Sequence, residues 1–259
     1  GVCRKRAESG GTMCPSYMAT LDEKDSTRGR ANVFRQVFTG TDPEAFGSKD
    51  LEKALDLCLS CKACKSECPA NVDMARMKAE FQHGKHQKDG LALRTRFFSE
   101  TEVIYRAASK LPAISNTMLR SPAIKAMMDE FLGISSERKL PLFAEKTFMD
   151  WWKERDIVKP EGDRVLLFVD LFTNYHEPDI GRSAVRILEK GGWKVEVAKG
   201  MQSGRIQISR GVLDRAKKIC HDMIRELSPQ VKKGIPVIGL EPSEVLTFEQ
   251  LKSPEVLKK

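Results

Sequence analysis

The 259-residue chain is short of several things, and each shortage removes a class of protein. No run of about 18 or more uncharged apolar residues exists, so nothing reads as a membrane span. The first residues, Gly1-Val-Cys-Arg-Lys-Arg, are basic with no apolar stretch behind them, which is not the pattern of a secretory signal. Aromatics are only 7% and never alternate with the basic residues, so the stacking platform of a nucleic-acid binder is missing and no nucleic-acid partner is expected. Cysteine is scarce after Pro69, where only Cys220 stands. A distributed disulfide framework is thereby excluded, and a reducing, cytoplasmic compartment is expected. No glycine-rich strand–turn–helix fingerprint of a dinucleotide site appears either.

What is present is an ordinary globular composition, with 41% hydrophobic and 31% charged residues and length enough for two cores. The net charge of +8 is spread among acidic neighbours, as in Arg28-Gly-Arg30 and Lys217-Lys218. That describes a solvated mixed surface, with a basic face for an acidic partner or anionic lipid as the alternative. Residues 1–25 are loop-rich. Helical spacing of Val33, Phe34, Val37 and Phe38 predicts a helix over 26–38, and Thr39-Gly-Thr-Asp-Pro breaks it. Ser48 is a candidate N-cap for a helix through Leu51, Ala54, Leu55 and Leu57. Another is expected from Asp73 to about Gln87, and 91–155 reads as mostly helical.

Near Pro160 the pattern changes. Val165-Leu-Leu-Phe-Val169 and Ile235-Pro-Val-Ile-Gly-Leu240 are short apolar runs of buried strands, and Lys194-Val-Glu-Val197 alternates as a strand. Helical patterns over 180–188 and 209–227 separate them, which predicts parallel pairing with right-handed crossovers. The expected fold class is therefore α plus α/β. Helical residues 1–110 and a helical connector over 111–160 precede a βαβαβ parallel-sheet domain over 161–259.

The chemistry concentrates in Cys58-Leu-Ser-Cys61-Lys-Ala-Cys64-Lys-Ser-Glu-Cys68-Pro69. Thiolates at every third residue can reach three irons of a compact [4Fe–4S] cluster, while a fourth before proline ligates the other cluster of a two-cluster protein. Ser60 and Ala63 are small enough for the backbone to wrap closely. Zinc favours two separated pairs of ligands and fits this spacing poorly, even with His83 and His86 added. Cys14-Pro15 repeats the Cys-Pro ending. Two-cluster logic then assigns Cys14 to the cluster of Cys58, Cys61 and Cys64, and Cys68 to a second cluster with Cys3 and ligands expected before Gly1. Taken singly, Cys3 and Cys14 also read as ordinary buried thiols. The absent initiator methionine is what a fragment of a longer polypeptide would show. The roughly 40 residues between the two runs, helical in pattern, predict an all-helical two-cluster module rather than small hairpins.

Three stretches carry a resemblance: Gly11-Thr-Met-Cys-Pro-Ser-Tyr-Met-Ala-Thr20, Asp25-Ser-Thr-Arg-Gly-Arg-Ala-Asn-Val33 and Leu57 through Asp73. They resemble the iron–sulfur half of FAD-linked 2-hydroxyacid dehydrogenases, the D-2-hydroxyglutarate and D-lactate dehydrogenase-like fusions, and are similar to glycolate oxidase iron–sulfur subunits. Leu167 through Pro178, Ser203-Gly-Arg205 and Gly239 through Ser243 look like the cysteine-rich (CCG) domain that follows in those proteins. The resemblance implies a missing N-terminal half that binds FAD and oxidises the hydroxyacid, passing electrons through the clusters to a quinone or other acceptor. It leaves peripheral association with the inner face of the membrane open, and also leaves open a three-iron cluster or a non-cysteine ligand at the second site.

The cysteines of that later domain are gone, with Ser203-Gly204-Arg205 and Glu241-Pro-Ser243-Glu244 in their place. Cys220 is expected as a buried thiol and no third metal centre is expected. Arg205 and Glu241 form a candidate docking or acceptor pocket, or else a structural ion pair. Arg28 and Arg30, near Asp22 and Asp25, are candidates to offset cluster charge or meet the flavin domain. The alternatives are the iron–sulfur subunit of a separate complex, of glycerol-3-phosphate dehydrogenase or heterodisulfide reductase type, and a zinc-stapled binding module.

Overall fold

The computed structural model describes residues 1–40, 48–155, 162–198 and 202–251. Contacts divide the chain into two units, one of Gly1–Leu91 with Gln207–Leu213, the other of Ala92–Ile206 with the chain from Asp214 onward. The expected boundary near 160 and part of the break after Thr39 lie outside the described residues.

The described part of the first unit contains no strand. Short 3-10 turns at Val2–Arg4, Ala7–Ser9 and Glu23–Asp25 accompany helices α1 (Pro15–Thr20), α2 (Thr27–Thr39), α3 (Lys49–Asp56), α4 (Ala63–Glu67) and α5 (Met74–Asp89). Three of these helices begin on a side-chain cap, which satisfies an orphan N–H of the first turn. Ser26 accepts from the N–H of Gly29, Ser48 from that of Leu51 and Asp73 from that of Arg76, at 2.9, 3.3 and 3.0 Å. Met13, Phe34, Leu51, Leu55, Met74 and Phe81 form a common core with Cys3, Cys14 and Cys64. Phe38, one turn beyond Phe34, is 65% exposed, and Leu57 falls outside the helix that ends at Asp56. The segment Gln207–Leu213 packs on α5 of this unit. Gly211 stands where an added Cβ would come within 2.4 Å of the Gln82 Cβ, and His86 donates to the Arg210 carbonyl at 3.0 Å.

The second unit opens with helices α6 (Leu93–Ser99), α7 (Thr101–Ala108), α8 (Pro112–Arg120), α9 (Pro122–Leu132) and α10 (Phe148–Glu154). After them come β1 (Arg164–Phe168), α11 (Leu171–Tyr175), α12 (Pro178–Lys190), β2 (Lys194–Val197), α13 (Arg205–Ser209), α14 (Leu213–Val231), β3 (Val237–Gly239) and α15 (Pro242–Leu251). The strands form one parallel sheet in the order β2-β1-β3, with Val165 opposite Val195 and Leu167 opposite Ile238. Alternation along β1 sends side chains to two cores. Val165, Leu167 and Val169 pack with Phe148 and Val185 from α10 and α12, while Leu166 and Phe168 pack with Met223 and Leu227 from α14. A central strand covered on both faces accounts for its unbroken apolar sequence. The protein is thus mostly helical with a small three-stranded parallel sheet. No described helix is long and apolar enough to cross a membrane.

Candidate metal centre

Cys14, Cys58, Cys61 and Cys64 line a single hollow together with Pro15, Ser16, Thr27, Arg30, Met74 and Ala75. The hollow, open mouth included, encloses about 310 Å³. It joins two parts of the chain more than forty residues apart. Cys14 and Cys64 are buried, Cys58 half-buried and Cys61 exposed, and all seven cysteines are free thiols.

Local backbone explains how the thiols converge. Cys14 itself is left-handed at φ 57°, and Ser60 and Lys62, flanking Cys61, are left-handed at φ 53° and 64°. Non-glycine residues rarely adopt this conformation, and it clusters at functional sites. Such reversals curl the chain tightly and gather N–H groups on a concave side.

Two thiols sit on helix N-termini. The N–H of Thr27, first residue of α2, donates to the Cys14 sulfur at 3.0 Å, and the Thr27 hydroxyl lies 2.8 Å from it. The N–H groups of Met74 and Ala75, first in α5, bond to Cys64. Burial pushes both thiols up, and these donors pull them back toward the thiolate.

Glu67 ties the two cysteine segments together. Its carboxylate accepts from the N–H and hydroxyl of Thr12 at 2.9 and 2.6 Å and from the N–H of Met13 at 3.3 Å. These bonds, those from Thr12 foremost, hold the carboxyl below its ordinary range.

The two basic residues singled out in the sequence part company. Arg28 is exposed and pairs with Glu23 at 2.7 Å. Arg30 is 2% exposed and donates to the Ala54 carbonyl at 2.8 Å and the Ser16 hydroxyl at 2.9 Å, with the Asp25 carboxylate 3.9 Å away. Lys78 carries no motif signal. Its ammonium donates to the carbonyls of Leu55, Asp56 and Cys58 at 2.8, 3.4 and 2.7 Å, and burial presses its pKa down.

Cys3 is buried and Cys68 half-buried in the same core, beside the hollow's lining rather than in it. The His86 ring bonds the Arg210 carbonyl and the His83 backbone lies beside Gly211, and neither residue lines the hollow.

In the second unit Arg205 meets Glu244 rather than Glu241. Glu244, 6% exposed, accepts from the Arg205 Nε at 3.1 Å and from the N–H and hydroxyl of Ser203 at 2.9 and 2.6 Å. Glu241 accepts locally from Ser243. Cys220 is buried, its thiol pushed up to about 11, and donates to the Ser203 carbonyl at 3.2 Å.

Among the described residues no three His, Cys, Asp or Glu side chains are arranged to hold a single metal ion. Four thiols spread around a hollow, two of them supplied with N–H donors, instead suit a polynuclear group with a thiolate at each corner. That is the ligand set of a [4Fe–4S] cluster.

Residues 1–73 match the family described as 4Fe-4S dicluster domain. The chain is 24% identical over 213 residues to D-2-hydroxyglutarate dehydrogenase of Haemophilus influenzae, covering 78% of this chain and 20% of that protein. It is 28% identical over 170 residues to one of the subunits of the anaerobic glycerol-3-phosphate dehydrogenase of Escherichia coli, 64% of this chain and 42% of that one. Over 59 residues it is 36% identical to the glycolate oxidase iron-sulfur subunit of E. coli, 23% of this chain and 14% of that protein. The chain thus spans about a fifth of the Haemophilus dehydrogenase and under half of the glycerol-3-phosphate dehydrogenase polypeptide. No solved structure matches it.

Proposed function

We propose that this chain is the electron-relay portion of an FAD-linked 2-hydroxyacid dehydrogenase. The observation that carries the reading is the meeting of Cys14 with Cys58, Cys61 and Cys64 around one hollow. These four would hold one [4Fe–4S] cluster, and Cys3 and Cys68 belong to the second of the dicluster pattern. Such clusters, when bound, supply one-electron transfer. The protein's part is to hold and tune them: the α2 and α5 N-termini present N–H groups to two thiols, and Glu67 holds the Cys14 segment against the end of the cysteine run.

In this reading the hydroxyacid is oxidised by an FAD-binding domain or subunit, and a quinone or other acceptor takes the electrons, with peripheral attachment to a membrane. The first unit is then an all-helical two-cluster ferredoxin-like domain, and the α/β unit is related to the cysteine-rich domains of such proteins. In place of metal ligands it has a closed knot of Ser203, Arg205 and Glu244. A second reading, the iron–sulfur subunit of a separate complex, is favoured by the larger share of the glycerol-3-phosphate dehydrogenase polypeptide that the chain covers.

Anaerobic reconstitution with iron and sulfide tests the reading. A brown protein with a reducible EPR signal is expected, lost in Cys14→Ser as fully as in Cys58→Ser and retained in Cys220→Ser. A colourless, zinc-loaded product, or a Cys14→Ser variant that loads like the parent, would refute it.

A further inference from the structure

Helices α2 and α5 repeat one arrangement. Each donates first-turn N–H groups to a thiol, Thr27 to Cys14 and Met74 with Ala75 to Cys64. Each then places a cation about one turn further on, Arg30 on α2 and Lys78 on α5, and residues three or four apart share a helix face. Both cations reach the same target, the C-terminal end of α3. Arg30 takes the carbonyl of Ala54 at 2.8 Å, and Lys78 those of Leu55, Asp56 and Cys58 at 2.8, 3.4 and 2.7 Å. A helix C-terminus is a partial negative charge, here ending two residues before Cys58. The two side chains cover that end and leave positive charge in its place.

We propose that Arg30, buried, and Lys78, half-buried, form a cationic brace that raises the reduction potential of the cluster held by Cys14, Cys58, Cys61 and Cys64. The inference rests on the cluster reading above. Four thiolates concentrate negative charge at the hollow, and reduction adds one electron to it. A cation held away from bulk water interacts with that charge far more strongly than an exposed one does. Arg30 lines the hollow, and Lys78 is bonded to the backbone of Cys58. Asp25 at 3.9 Å offsets part of the Arg30 charge, whereas the Lys78 ammonium is bonded to carbonyl oxygens. Lys78 is therefore the residue to change. It acts as a positioning and tuning residue rather than a ligand.

The test is EPR-monitored redox titration of the reconstituted chain, with iron content measured alongside. Lys78→Met removes charge and donor, Lys78→Gln keeps an N–H donor without the charge, and Lys78→Arg keeps the charge. At a fixed poise the reduced-to-oxidised ratio is expected to fall about tenfold in Lys78→Met and Lys78→Gln, about 59 mV for a one-electron couple. Lys78→Arg is expected to titrate with the parent. Variants Met and Gln that load iron and titrate like the parent overturn the proposal, as does an Arg variant displaced as far as Met. If Met and Gln take up no iron while Arg loads normally, the charge serves assembly rather than the potential, and the proposal is overturned. Failure of all three overturns it. A parent chain that takes up no iron overturns the cluster reading itself, and this inference falls with it.

Discussion

Arg30 and Asp25 are 2% and 1% exposed, and their charges are tolerable in the interior only together. Beyond Arg30, Asp25 takes the Thr20 hydroxyl at 2.8 Å. Arg30→Met leaves the Asp25 carboxylate buried without its cation, an error that costs about 3–5 kcal/mol. Denaturant unfolding of the metal-free chain measures it, and Asp25→Asn added to Arg30→Met should recover part of the loss. A single-variant cost below about 1 kcal/mol, the scale of a surface pair, contradicts this. The sequence placed both arginines beside the cysteines but could not separate them. They are two apart on a helix, so they face different ways, one to Glu23 and solvent, the other inward. Lys78 was invisible for a different reason: its partners are backbone carbonyls, which leave no mark in residue type.

At the scale of elements, legibility followed spacing and capping. The cysteine run, the repeated Cys-Pro ending, the Ser26 and Ser48 starts and the both-faces-buried run of β1 are written in residue types, and each has its counterpart in the fold. The ends of elements depended on backbone chemistry. The last strand shortens from the expected 235–240 to Val237–Gly239, since Pro236 lacks an N–H and offers only its carbonyl, which accepts from Leu166 at 2.9 Å. The helix expected from 209 begins at Leu213 because Gly211 turns left-handed at φ 68° and the residues before it pack on α5. Arg205 took Glu244 because Glu241 is engaged with the first turn of its own helix, a choice between two glutamates three residues apart that no spacing rule makes. Gly211 also carries a prediction. A methyl there meets the Gln82 backbone at 3.0 Å and its Cβ at 2.4 Å, in a conformation that disfavours side chains. Gly211→Ala should cost about 1–3 kcal/mol. Thermal loss of the iron chromophore, which belongs to the first unit, reports it, and an unchanged midpoint contradicts it.

Across the whole molecule the reporters are divided between the units. Six of the seven cysteines lie in the first, while Trp151, Trp152 and Trp193 all lie in the second, so visible absorption follows one and tryptophan fluorescence the other. His176 makes the second unit sensitive to acid. Its Nδ1 donates to the Leu142 carbonyl at 2.9 Å, Tyr105 and Phe143 pack on the ring at 4.7 and 4.8 Å, and Nε2 is buried with no hydrogen-bond partner among the described residues. Burial outweighs the Leu142 bond and the neighbouring Glu177 charge, and holds its pKa below the ordinary 6.5. The unfolded chain therefore takes up a proton before the folded one does. Stability from the neutral ring is complete above about pH 6.5 and is lost as the pH falls from there through the lower folded value. The Arg164–Glu196 pair across β1 and β2 behaves differently. Its carboxyl lies below the ordinary 4.5, so its contribution is intact until the pH falls beneath that value. The tryptophan-detected melting midpoint should accordingly be level above pH 6.5 and fall between there and about pH 5, before carboxylates contribute. His176→Phe keeps a ring in the same aromatic nest without the titration, so the gap between variant and parent should move in the variant's favour as the pH drops through that window. Parallel curves for the two proteins would show that the buried imidazole stays neutral at no cost to folding.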